Sequence, residues 1–162
     1  MKRLKYEINI QSPVAKVYDN MLGLSKKSTY EEWTSLFSPT STYEGNWQIG
    51  SKILFVSLDE KGEPGGMVSK IIDNSVNKFV SIQHYGILKS GEEITEGSDV
   101  EEWSGGLENY SFEEENGMTI VSIEIDTVEG YEDYMNKLYP NALLKLKEIC
   151  ERDIDKALTN ED

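Results

Sequence analysis

Tyr139-Pro140-Asn141-Ala142-Leu143-Leu144-Lys145-Leu146-Lys147-Glu148-Ile149-Cys150 sets Leu143, Leu146 and Cys150 along one helical stripe, which Ile154 and Ala157 continue. That spacing predicts a long amphipathic C-terminal helix with one apolar face. Upstream, Tyr131, Tyr134, Met135 and Leu138 follow Gly130 in the same pattern. Pro140 lacks an amide hydrogen, so it either kinks the helix or starts its main segment. Residues 159–162 read as a frayed tail. Such a helix needs an apolar partner, and the middle of the chain provides one.

That partner is a series of strands. Thr40–Glu44, Ser51–Leu58, Gly66–Ile72, Phe79–Leu88, Leu107–Glu115 and Thr119–Thr127 are rich in β-branched and aromatic residues. Asn116-Gly117 is the sharpest break, because both residues tolerate the left-handed backbone of a two-residue hairpin loop. At the N-terminus, Leu4, Tyr6, Ile8 and Ile10 alternate with polar residues, the mark of a strand with one wet face. Ser12-Pro13 reads as the cap and first position of a short helix bearing Val14, Val17, Tyr18, Met21 and Leu22. Ser28 and Glu31 have capping-box spacing for a second helix carrying Tyr30, Trp33 and Phe37, closed by Pro39. The expected fold class is α+β, one domain over residues 1–158. Its seven-stranded, mostly antiparallel sheet curves around the last helix and leaves an apolar space between them.

In this order of elements the chain resembles the helix-grip fold of the START-like, or SRPBCC, superfamily. More narrowly it is similar to the domain like the C-terminal part of the activator of Hsp90 ATPase. The resemblance covers almost the whole chain. It is carried by Ser12-Pro13 with Val17-Tyr18, Trp33-x-x-x-Phe37-x-Pro39, Gly45-x-Trp47-x-x-Gly50-Ser51, Gly65-Gly66-Met67-Val68, and Pro140-x-x-Leu143-x-x-Leu146-x-x-Ile149. It implies a ligand-holding cavity between sheet and helix. The eukaryotic activators also carry an N-terminal domain that engages the chaperone. The 162 residues leave no counterpart for it, so chaperone activation is not expected.

Sixteen basic against thirty acidic residues give a net charge of −14. A surface so acidic repels nucleic acid and anionic bilayers, and both partners are set aside. No apolar run approaches the roughly 20 residues that span a bilayer, and Met1-Lys2-Arg3 does not lead into a signal-peptide core. A cytoplasmic protein without membrane insertion is expected. One cysteine, Cys150, excludes an internal disulfide. On the apolar helical stripe it reads as a small hydrophobe.

His84 is the single histidine and cannot pair with another around a metal. Strand alternation puts Ser81 and Gln83 toward water and Val80, Ile82, His84, Gly86 and Leu88 inside. There His84 could bind a ligand or transfer protons, or simply be satisfied by a neighbour. Glu108, Tyr110 and Phe112 share a face. If that face is inward, Glu108 becomes a functional candidate with a raised pKa; otherwise it sits at a strand end in water. Trp33, Phe37, Trp47, Phe55, Met67 and Ile82 are expected at a ligand site. So are His84, Trp103, Tyr110, Phe112, Tyr134 and Leu138. The acidic segment from Ser90 to Gly106, around Trp103, reads as a solvated loop, with a lid as the alternative. It lacks the alternating ligands of a calcium loop, and Gly62–Gly66 runs into Met67-Val68 rather than the Lys and hydroxyl of a phosphate loop. No metal or cofactor is expected.

The functional expectation is a binding protein for a small apolar or amphipathic molecule, without catalysis. The alternatives are a polyketide cyclase or aromatase-like enzyme using His84, Glu108 and Tyr110, and a co-chaperone-like interaction module. A homodimer is compatible with each of the three.

Overall fold

β1 (Lys2–Ile10) covers Leu4 and Ile10 and half-covers Tyr6 and Ile8, as its period-two pattern requires. The computed structural model describes residues 1–160, and side chains through Arg152. After β1 come α1 (Val14–Leu22), α2 (Lys27–Thr34), β2 (Thr42–Gly45), β3 (Lys52–Leu58), β4 (Pro64–Ser75) and β5 (Phe79–Lys89). Then follow β6 (Glu92–Ile94), α3 (Ser98–Glu101), β7 (Gly106–Glu115), β8 (Met118–Thr127) and α4 (Glu132–Asn160). The curved, unclosed sheet has the order β1-β8-β7-β5-β4-β3-β2, with β6 paired to β5 and every pairing antiparallel. Asn116 and Gly117 turn the β7–β8 hairpin at φ 53° and 80°, as that dipeptide predicts.

The sheet has eight strands where the sequence suggested seven. The additional β6 lies in the acidic segment, which is therefore not a plain solvated loop. Val100 of α3 is 1% exposed. Gly86 makes room for this segment: a Cβ there would stand 2.9 Å from Ile94 O and 3.0 Å from Thr95 Cγ2.

The two short helices form where expected, with other caps. Ser12 Oγ is buried without a hydrogen-bond partner among the described residues. Its amide is held by Ile10 O at 2.8 Å and its carbonyl accepts from Thr119 Oγ1 at 2.7 Å, so Ser12 is tied to the sheet. Glu114 Oε1 caps the helix instead, accepting from Val14 N–H at 2.8 Å. Helix α2 starts at Lys27, one residue before the expected Ser28, and ends at Thr34, before Pro39.

Helix α4 is one element with Pro140 inside it. Its buried face is Tyr139, Ala142, Leu143, Leu146, Ile149 and Cys150, against β1, α1 and α2. The expected burial of Ile154 and Ala157 lies outside the described side chains; of the expected tail, α4 runs on through Asn160, and residues 161–162 lie outside the described residues. Tyr134 does not join the stripe and is 51% exposed. Five residues at about 100° each place it about 140° round the axis from Tyr139. Among the described residues, no helix is long and apolar enough to cross a membrane.

Candidate functional site

A cavity of about 460 Å³ lies between the concave sheet, α2 and the first turns of α4. Trp33 and Phe37 form its roof, Phe55, Met67 and Ile87 one wall, and Ile125, Met135 and Tyr139 the other. Trp103, Asp126 and the 58% exposed Tyr131 stand at the mouth.

The floor is polar. Glu108 on β7 is paired directly with Ile82 of β5, which makes His84 its diagonal neighbour, and the residue opposite His84 is Gly106. The side chains of His84 and Glu108 are only 11% and 14% exposed, and His84 Nε2 lies 3.0 Å from Glu108 Oε1. Ser69, from β4, is 2.6 Å from His84 Nδ1. A neutral imidazole satisfies both bonds if Ser69 donates to Nδ1 and Nε2–H donates to the carboxylate. The other carboxylate oxygen accepts a short hydrogen bond from the Tyr139 hydroxyl and a longer one, 3.4 Å, from Tyr110.

Burial pushes the Glu108 carboxyl up, but the hydrogen bond and charge of His84 and the two phenol hydroxyls outweigh it and hold the group below its ordinary value. The expected raised pKa is thus overturned in direction, and the alternative of a solvated strand end is overturned as well. Burial, then the Glu108 charge, push Tyr110 and Tyr139 well above the ordinary phenol value, so both remain hydrogen-bond donors. At the mouth, Asp126 is held low chiefly by Arg3, whose Nε is 2.9 Å from Oδ1.

Of the expected site residues, the fold brings Trp33, Phe37, Phe55, Met67, His84, Trp103 and Tyr110 to the cavity, together with Glu108. It leaves out five. Trp47 packs edge-on to Tyr43 in the core, at 5.4 Å between ring centroids. Ile82 is fully buried. Phe112 lies four residues along β7 from Glu108, roughly 13 Å away at strand rise, and meets Tyr18 of α1 at 5.4 Å. Tyr134 faces out, and Leu138, about 100° round from Tyr139, is half-buried outside the wall.

A bulge explains a further shift. Val68 pairs with Gly86 but Ser69 with His84, so Tyr85 has no partner on β4. Beyond it the faces exchange: Ile87, opposite Met67, reaches the cavity, while Gly86 and Leu88 move to the outer face. Ser81, expected in water, is 4% exposed and donates to Asn109 Oδ1 at 2.5 Å. The fold adds Ser69 and Tyr139 to the expected site residues. Tyr139 carried a signal in its four-residue spacing from Met135 and Leu143; Ser69 carried none, since its contact depends on register.

Several solved structures share this architecture. The Aha1 dimer from Colwellia psychrerythraea superposes at a TM-score of 0.67 and 20% identity, over 93% of this chain and 97% of that one. A Cytophaga hutchinsonii protein gives 0.69 at 13% identity over 96% and 97%. The chain has the helix-grip fold. CalU16 from Micromonospora echinospora shares it at a TM-score of 0.61 and 13% identity, over 91% of this chain and 65% of its own. At these identities the likeness is one of fold. No family model and no curated protein matches the chain. In this fold the cavity lies between the sheet and the terminal helix. Among the described residues, no group of His, Cys, Asp and Glu has the arrangement of a metal site.

Proposed function

We propose that this is a cytoplasmic binding protein for a small apolar or amphipathic molecule, held in the cavity under α4. The observation that supports it is an apolar space of about 460 Å³ with a concentrated polar floor at Glu108. Its size falls in the range of small-molecule sites, and its few polar groups converge on one point that can orient a ligand. A homodimer is a further proposal, supported by a similar fold in the Aha1 dimer.

The test is thermal shift against a library of lipids and polycyclic aromatics. A true ligand at a hundred times its Kd adds about 2.7 kcal/mol to the native state, or a rise of roughly 5–10 °C at this chain length. Ile87→Trp, which fills the cavity from its wall, is expected to abolish the shift. No shift from any compound, or a shift unchanged in Ile87→Trp, overturns the proposal.

A second reading, proton-transfer catalysis of the cyclase or aromatase kind, is supported by the convergence of His84, Tyr110 and Tyr139 on Glu108. General acid–base chemistry needs such groups within hydrogen-bond reach of one point. Ser69 lies behind His84 and does not line the cavity, so the Ser69–His84–Glu108 row is not arranged as a nucleophilic triad. If this reading holds, a bound ligand incubated in D2O incorporates deuterium at carbon, and Glu108→Gln stops it. Unchanged ligand in the wild-type protein excludes it.

A further inference from the structure

We propose that the cavity selects ligands carrying one protonated amine, and rejects those carrying a carboxylate or phosphate. The inference rests on the binding proposal and narrows the class of ligand. Three observations carry it.

First, the wall supplies no permanently charged cation. Among the described residues the lining includes two acids, Glu108 and Asp126, and no Lys or Arg. Asp126 is neutralised from outside by Arg3, which meets it through two nitrogens at 2.9 and 3.2 Å. No Lys or Arg meets Glu108, and the one ionisable base beside it is His84, with Nε2 3.0 Å from Oε1. The donors to Glu108 are two phenol hydroxyls and an imidazole whose bonds to Ser69 and Glu108 are both satisfied in the neutral form. The floor therefore carries an ionised carboxylate in surroundings that screen it poorly.

Second, that carboxylate retains acceptor capacity. A carboxylate offers about four lone-pair sites, and three donors occupy it, one at only 3.4 Å. An ammonium N–H can take the remaining site, exchanging part of its hydration for a charge-assisted hydrogen bond. A ligand carboxylate there would face Glu108 with no Lys or Arg between them.

Third, the space is an aromatic box. Eight of the lining side chains are aromatic, and Trp33, Phe37, Phe55, Tyr110 and Tyr139 surround the polar floor. Ring faces attract cations most strongly where water is excluded. The net charge of −14 adds a long-range field that concentrates cations and excludes anions.

The probes are naphthylmethylamine, naphthylmethanol and naphthoate, which share one apolar body and differ in the polar group. Calorimetric titration at low salt is expected to rank amine above alcohol by about tenfold or more, with naphthoate not detectably bound. In Glu108→Gln the amine-to-alcohol ratio is expected to fall to about threefold or less, while alcohol binding persists. A preference arising from overall charge would survive that substitution, which removes one of thirty acidic residues. The wild-type ranking is decisive even if Glu108→Gln fails to fold. Equal binding of amine and alcohol, or tighter binding of naphthoate, overturns the amine inference and leaves the binding proposal standing. A preference retained in folded Glu108→Gln also overturns it. If none of the three binds, and the lipid and aromatic library gives no shift, both proposals fall together.

Discussion

Trp33→Ala lowers the unfolding free energy by about 3–5 kcal/mol, the usual cost of truncating a buried tryptophan. Trp33 is 1% exposed and meets Tyr30 and Tyr110 edge-on at 5.8 and 6.4 Å between centroids. It joins α2 to the floor of the sheet and roofs the cavity. Its indole N–H also donates to Met21 O at 2.9 Å, so truncation leaves a buried carbonyl of α1 without this donor. The cavity already beneath it gives the neighbours little to close upon. Urea unfolding should show a lower midpoint with an unchanged slope, and melting should fall by about 10 °C. A loss below about 1 kcal/mol would mean that the roof is not packed as described.

His84→Leu keeps the volume and removes the strongest compensation for the buried Glu108 charge. Breaking a buried pair from one side costs about 3 kcal/mol or more at neutral pH. The pH dependence identifies the cause. In the wild-type protein the Glu108 pKa is lowered, so its contribution is present above the unfolded value of about 4.3 and is lost as pH falls through the lower folded value. Without His84, burial is opposed only by the two phenol hydroxyls, and that pKa moves up. The penalty then grows as pH rises past about 4.3 and is complete above the raised folded value. The difference between wild type and His84→Leu should be small near pH 3 and largest at pH 7 in urea titrations. A pH-independent difference would show that His84 matters through packing alone.

Local pattern was enough for most of the architecture. The apolar alternation of β1, β7 and β8 and the Asn116-Gly117 turn needed only near neighbours in the chain, and these elements lie within a residue or two of where the pattern puts them. β6 and α3 escaped notice because their residues are acidic. What orders them is attachment to β5 and the space that Gly86 leaves, not a preference of their own. Tyr134 was misplaced because a spacing rule cannot tell which side of a broad helical stripe will turn inward.

Amino-acid order alone established an α+β chain with a long final helix, an acidic surface, and His84 and Glu108 in two separate strands. Folding in three dimensions decided that the two would touch. The bulge at Tyr85, the diagonal register of β5 with β7 and the rotation of α4 that delivers Tyr139 each depend on pairing between distant segments. A one-residue slip in either strand pairing would turn a side chain to the opposite face, and one in α4 would swing Tyr139 by about 100°. The carboxylate is tolerated inside because donors on β5, β7 and α4 meet it; Tyr110 follows from strand alternation, but no local spacing in the sequence encodes the meeting with His84 and Tyr139.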